Sequence, residues 1–154
     1  MANKSKKPKN TERKIQNRRA RFDYELDDSL AVGIQLTGAE TKSLRMGHGQ
    51  LRGAYVIHKD GELWLINAQI NGAQGIIVDE TQQIRNRKLL AKRKQIDNFI
   101  ANKQQGMTIV PIEFLTQGRF ITLKIALGKG KKHYDKREAL KRRDHVREIH
   151  RQFS

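Results

Sequence analysis

Residues 54–67 read AYVIHKDGELWLIN, two apolar runs on either side of Asp60-Gly61. An Asp-Gly pair in that place signals a β-hairpin, because glycine takes the positive φ of a type I′ turn without a Cβ clash. The spacing predicts strands over 54–58 and 62–67. Trp64 lies in the second run and is expected in the core; stacking on RNA is the competing use for a lone indole.

Further along the chain, residues 108–115 and 119–127 read as two more strands around Gln117-Gly118. In the second, Ile121, Leu123, Ile125 and Leu127 alternate with Phe120, Thr122 and Lys124, the period of a strand with one buried face. Pro111 marks an edge or bulge in the first, since proline has no N–H to give a ladder. Towards the N-terminus, Phe22, Tyr24 and Leu26 alternate, then Leu30, Val32, Ile34 and Leu36. This predicts two short strands with a turn at Asp27-Asp28-Ser29. Six short strands without βαβα alternation give a mainly β fold, a small OB-like antiparallel barrel with two or three helices.

The helices have local signatures. Thr37-Gly-Ala-Glu40 is a capping box, predicting a helix over 38–45 that Gly47 and Gly49 end. Capping and a functional role therefore compete for Glu40. Residues 71–83 are polar and glycine-punctuated and read as a loop. Residues 84–101 place Leu89, Ile96 and Ile100 near one face and Arg85, Arg87, Lys88, Lys92, Arg93 and Lys94 on the other. That predicts one amphipathic helix whose basic face either grips phosphates or is solvated.

Charge is unevenly distributed over the 154 residues, whose formal net charge is +16. Residues 1–21 hold nine Lys/Arg and one acid, and residues 129–154 hold ten Lys/Arg and four acids. The middle, with 13 basic and 11 acidic residues, is nearly neutral. A neutral body with two cationic arms suits a polyphosphate partner. The expected organisation is a disordered basic arm over 1–17, an RNA-binding barrel over 18–130 and a basic tail over 131–154. Lys131 and Lys132 open the tail as phosphate-seeking residues beside Gly128 and Gly130. Beyond them, Glu138/Arg142, Asp144/Arg147 and Glu148/Arg151 are favourable helix pairs, but Leu140, Val146, Ile149 and Phe153 form a thin apolar set. The tail is expected to be largely disordered alone and helical when docked.

Catalytic constellations are absent from the sequence. No Walker loop, G-x-S-x-G elbow or H-E-x-x-H pair occurs, and there is no cysteine. His145 and His150 are spaced i, i+5, which puts them on different helix faces. No metal, cofactor or catalytic residue is expected, and adjacent acids such as Asp27-Asp28 or Asp79-Glu80 are read as solvated. The N-terminus lacks the apolar core of a secretory signal and no window is long enough to span a membrane, so a cytoplasmic monomer is expected. Arg18, Arg19 and Arg21 beside Phe22 and Tyr24 mix cations with rings, as stacking on unpaired bases requires.

Four segments, NRRARFDY (17–24), GAETKSLR (38–45), RKLL (87–90) and GKKHYDKR (130–137), together resemble the SmpB family, the SsrA-binding proteins that partner tmRNA in bacterial trans-translation. The resemblance runs from Asn17 onward. It implies a barrel that binds the tRNA-like domain of tmRNA and delivers it to stalled ribosomes for ribosome rescue. It implies RNA-facing roles for Asn17, Arg18, Arg19, Tyr24, Glu40, Lys42, Ser43, Arg45, Arg87 and Lys88. It also implies that a tail beginning at Tyr134, Asp135, Lys136 and Arg137 engages the decoding centre and the empty mRNA channel. The chain departs from the family pattern at Phe22, where His is usual, at Ala31, where an acid is common, and over 79–86, which lacks the usual Asp-Pro start.

Overall fold

A computed structural model describes residues 15–131 and 133–152, with the side chains of 133–136 outside the description. In chain order the elements are β1 (Ile15–Gln16), α1 (Arg18–Asp23), β2 (Tyr24–Ile34), α2 (Gly38–Arg45), β3 (Gly49–Gln50), β4 (Tyr55–Lys59) and β5 (Glu62–Ile66). There follow β6 (Gln69–Ile70), α3 (Glu80–Gln83), β7 (Arg87–Leu90), α4 (Arg93–Ala101), β8 (Met107–Leu115), β9 (Thr122–Gly130) and α5 (His133–Gln152).

The expected barrel is present. Antiparallel pairing runs β8–β4–β5–β7–β2–β9 and returns to β8, so six strands close on themselves and the sheet keeps no long free edge. The hairpin forms as its turn chemistry requires: Asp60 and Gly61 have φ of 54° and 75°, and Ile57 pairs with Trp64 across it. Inward residues of every barrel strand, among them Val32, Val56, Leu63, Leu65, Leu89, Ile109, Leu123, Ile125 and Leu127, share one core with Leu44 of α2 and with Ile96 and Phe99 of α4. Each fully buried aliphatic chain adds about 1.5–3 kcal/mol. A smaller cluster of Ala20, Val110, Ile112 and Ala126, with Tyr24 and Leu26 against it, lies under α1. Strands β8 and β9 are thus covered on both faces. That explains why 109–112 and 125–128 are buried without alternation.

Several features differ from the sequence expectation, among them the short helix α3 at the end of the expected 71–83 loop. Residues 15–17, assigned to the arm, belong to the body: Ile15 is buried and pairs with Phe114, and the Asn17 N–H donates to the Ile112 carbonyl at 2.7 Å. Residues 1–14 lie outside the described residues. Residues 18–23 form a helix, so Phe22 does not share a strand face with Tyr24. Asp27-Asp28-Ser29 is no turn but a bulge, where the β2–β9 register shifts between Leu26 and Ser29; an extra residue unpairs there and the single 11-residue strand continues. The amphipathic helix is shorter than expected, since Arg87–Leu90 is the strand that closes β5 onto β2. Trp64 is half-buried on the outer side of β5, between the inward Leu63 and Leu65. Pro111 does mark a bulge, with the β8–β9 register shifting between Pro111 and Glu113. The tail takes the form of a 20-residue helix, whose Leu140 and Arg143 line a groove together with residues of α1.

Candidate nucleic-acid interface

The chemistry expected at positions 17–24, 38–45 and 87–88 separates into an internal frame and an outer surface. Helix α2 starts where its capping box predicts. The Thr37 hydroxyl accepts from the Glu40 N–H and the Glu40 carboxylate accepts from the Thr37 N–H, both at 3.2 Å. That geometry turns the Glu40 side chain inward, where it is 1% exposed. It meets Arg85 and Arg87 there. Arg87 is fully buried, and its five N–H groups are all used: Nε on Glu40, Nη1 on the Ala68 and Arg85 carbonyls, Nη2 on those of Gln82 and Gln83.

Burial alone pushes the Glu40 carboxyl up, but the Arg85 and Arg87 hydrogen bonds, the Arg87 charge and the Thr37 N–H outweigh it and hold the group below the usual carboxylate range. Burial lowers the Arg87 guanidinium, with Glu40 acting against it. The pair has its geometry saturated, the condition under which buried charges are tolerated. Its work is to fasten the 79–86 segment and the β5–β6 connection onto α2.

Glu40 and Arg87, expected to face RNA, are buried in the free chain with their polar groups spent on Arg85, on each other and on the backbone. Ser43 is fully buried too, with its Oγ unpartnered among the described residues. Asn17 is buried as well, its Nδ2 donating to the Pro111 carbonyl at 3.0 Å. Two further cations are at the surface but already engaged. Arg45 reaches from α2 to the β8–β9 turn and donates to the carbonyls of Thr116 (2.9 Å), Gly118 (3.1 Å) and Arg119 (3.0 Å). Lys131 donates from Nζ to the Arg21 carbonyl and from its backbone N–H to that of Asp23, satisfying the open C-terminal end of α1. Lys88 pairs with Glu62 at 2.8 Å on the outer barrel face.

What faces outward is α1. Arg18, Arg19 and Arg21 are exposed on it, while its Ala20 is buried against β8 and β9. The three arginines border a groove of about 510 Å³ whose lining also includes Phe22, Leu140 and Arg143, with one acid, Glu113. The Phe22 ring has two guanidinium groups over it, Arg19 at 5.4 Å and Arg143 at 5.9 Å. Arg19 also pairs with Asp23 at 3.5 Å. Tyr24 is half-buried at the start of β2, bordering a second groove of about 440 Å³ with Arg21, Lys124 and Lys131. Lys42 is exposed on α2. Lys132 lies outside the described residues, as do the side chains of Tyr134, Asp135 and Lys136; Arg137 is exposed on α5.

Sequence reasoning missed Arg85 as the second partner of Glu40. The alternation Arg85-Asn86-Arg87 was the available signal, because residues two apart in extended chain share a face. It also passed over Arg119 and Phe120, whose guanidinium and ring lie 5.5 Å apart. Among the described residues no group of three His, Asp or Glu is placed to hold a metal, and no helix is long and apolar enough to cross a membrane.

The SmpB protein family model matches residues 14–154. The SsrA-binding protein of Trichormus variabilis is 46% identical over 138 residues, covering 88% of each chain. That of Prochlorococcus marinus is 39% identical over 155 residues, covering 97% of this chain and 94% of the relative. A solved chain described as "tmRNA-SmpB: a journey to the center of the bacterial ribosome" superposes with a TM-score of 0.65 at 32% identity, covering 83% of this chain and 94% of that one. With a closed barrel, a basic α1 surface and a match over nearly all its length, the chain belongs to the SmpB family.

Proposed function

We propose that this protein binds the tRNA-like domain of tmRNA (SsrA) and delivers it to stalled ribosomes for trans-translation, as a non-catalytic RNA-binding protein of the cytoplasm. The observation that carries the proposal is the α1 surface, three exposed arginines around a ring that stacks guanidinium groups, on a chain 46% identical to an SsrA-binding protein. Cations that neutralise phosphates release counterions, and a ring among them accepts unpaired bases. Arg18, Arg19, Tyr24 and Lys42 are the RNA contacts in this account. Asn17, Glu40, Ser43, Arg45 and Arg87 shape the body that presents them, and Lys131 ties α1 to the end of β9. The segment from Tyr134 to Arg137 begins a tail that engages the decoding centre and the empty mRNA channel.

The RNA that co-purifies with the tagged full chain tests this. Sequencing should return a tmRNA as the enriched species; ribosomal RNA alone would mark a resident ribosomal barrel protein instead.

A further inference from the structure

One groove lies away from α1 and contains no residue assigned to RNA so far. It has a volume of about 420 Å³ and is lined by Gly33, Leu36, Thr41, Leu90, Arg119 and Phe120, among others. Its floor is where β7, β2 and β9 meet, Gly33 pairing with Leu90 on one side and Thr122 on the other. The floor is low because Gly33 has no side chain: a Cβ there would sit 3.2 Å from the Leu90 Cβ. Phe120 stands at the rim, 74% exposed, whereas Phe99 and Phe114 are buried in the core. A phenyl ring held in water adds nothing to packing.

This ring is nevertheless placed with care. Arg45 fastens the turn before it by hydrogen bonds to three of its backbone carbonyls, those of Thr116, Gly118 and Arg119. The Arg119 guanidinium lies over the ring at 5.5 Å. No acidic side chain lines the groove, and its one charged lining residue is the cation Arg119. An exposed aromatic, an apolar floor and a cationic rim are the parts of a stacking platform for single-stranded nucleic acid, the ring taking the base and the cation its phosphate.

We propose that Phe120 is the platform on which one unpaired nucleobase of the bound RNA stacks, held in position by Arg45. This rests on the RNA-binding function proposed above and adds a second contact surface to it, separate from α1. Cationic lining favours a nucleotide over an apolar protein segment as the occupant.

The test is equilibrium binding of the full chain to a transcript of the tmRNA tRNA-like domain, measured across a range of KCl concentrations. Phe120→Ala and Phe120→Leu should each weaken binding by roughly 5- to 150-fold, the span that losing one base–aromatic stack gives, with the slope of log affinity against log salt unchanged. Phe120→Trp should bind as tightly as the parent. The exposed position lets all three fold, which far-UV circular dichroism verifies. If Phe120→Ala binds like the parent, or if Phe120→Leu keeps full affinity so that apolar contact suffices, the platform is overturned while α1 binding stands. If the parent binds this transcript no better than an unrelated RNA hairpin, the parent function fails and the platform with it.

Discussion

Replacing Glu40 by Ala separates the internal frame from the RNA surface. The carboxylate neutralises Arg87, which is fully buried, and accepts the Thr37 N–H. Removing one partner of a buried ion pair costs about 3–5 kcal/mol, because the remaining charge stays desolvated. Arg87 keeps four backbone carbonyl acceptors, and Arg85 is partly exposed and free to turn to water, so the low end, about 3 kcal/mol, applies. Loss of the reciprocal cap adds about 1 kcal/mol. At 2–4 °C per kcal/mol for a chain of this size, the melting temperature should fall by roughly 8–16 °C. Thermal unfolding by circular dichroism measures it, with binding to the tRNA-like domain assayed well below the new midpoint. Near-parental affinity of the folded variant is expected there. A melting temperature within about 2 °C of the parent, combined with lost RNA affinity, would refute the structural assignment and restore Glu40 as an RNA contact.

Acid should expose the same pair. The Glu40 carboxyl is held below its ordinary range when folded, so its contribution is present above the unfolded Glu value of about 4.3 and is lost as pH falls through the lower folded value. Glu40→Gln should flatten the acid limb of a stability-against-pH curve from chemical denaturation. In a double-mutant cycle, Arg45→Ala should weaken binding to the transcript in the parent but add less than about 0.5 kcal/mol on a Phe120→Ala background, since Arg45 acts through that turn; additive losses would make it an independent contact. Gly128→Ala would place a Cβ 3.1 Å from both the Tyr24 Cβ and the Val110 Cγ2, overpacking that costs about 1–3 kcal/mol by urea unfolding. Lys131→Ala should destabilise the last turn of α1 by about 0.3–1 kcal/mol, seen as faster hydrogen exchange over 21–24.

Features set by neighbouring residues were readable from the sequence. The Asp60-Gly61 turn needs only its own φ preferences, and the Thr37/Glu40 box needs only residues three apart, so both stand where they were expected. The β7 strand was lost because Leu89, Ile96 and Ile100 keep a helical spacing across a boundary at Lys92. Leu89 pairs in the barrel, while Ile96 packs from α4 into the same core. Phe22 reads as strand because its alternation with Tyr24 and Leu26 runs across the boundary between α1 and β2, while the residue that marks the helix, Ala20, is covered by strands β8 and β9 far along the chain. Glu40 and Arg87 are 47 residues apart in sequence; the capping box fixes where the Glu40 carboxylate points, but nothing local marks Arg87 as its partner. The same residue types would serve an RNA surface, so the basic-face reading of Arg87 and the resemblance both point outward.

In the proposed function the body holds RNA and the tail works on the ribosome. Truncation before residue 133 separates the two, in a reconstituted system of stalled ribosomes and charged tmRNA. Affinity for the tRNA-like domain should stay within about threefold of the full chain, a difference under about 1 kcal/mol, with peptidyl transfer to tmRNA abolished. Loss of RNA affinity in parallel with transfer, or transfer that survives the truncation, would contradict this division.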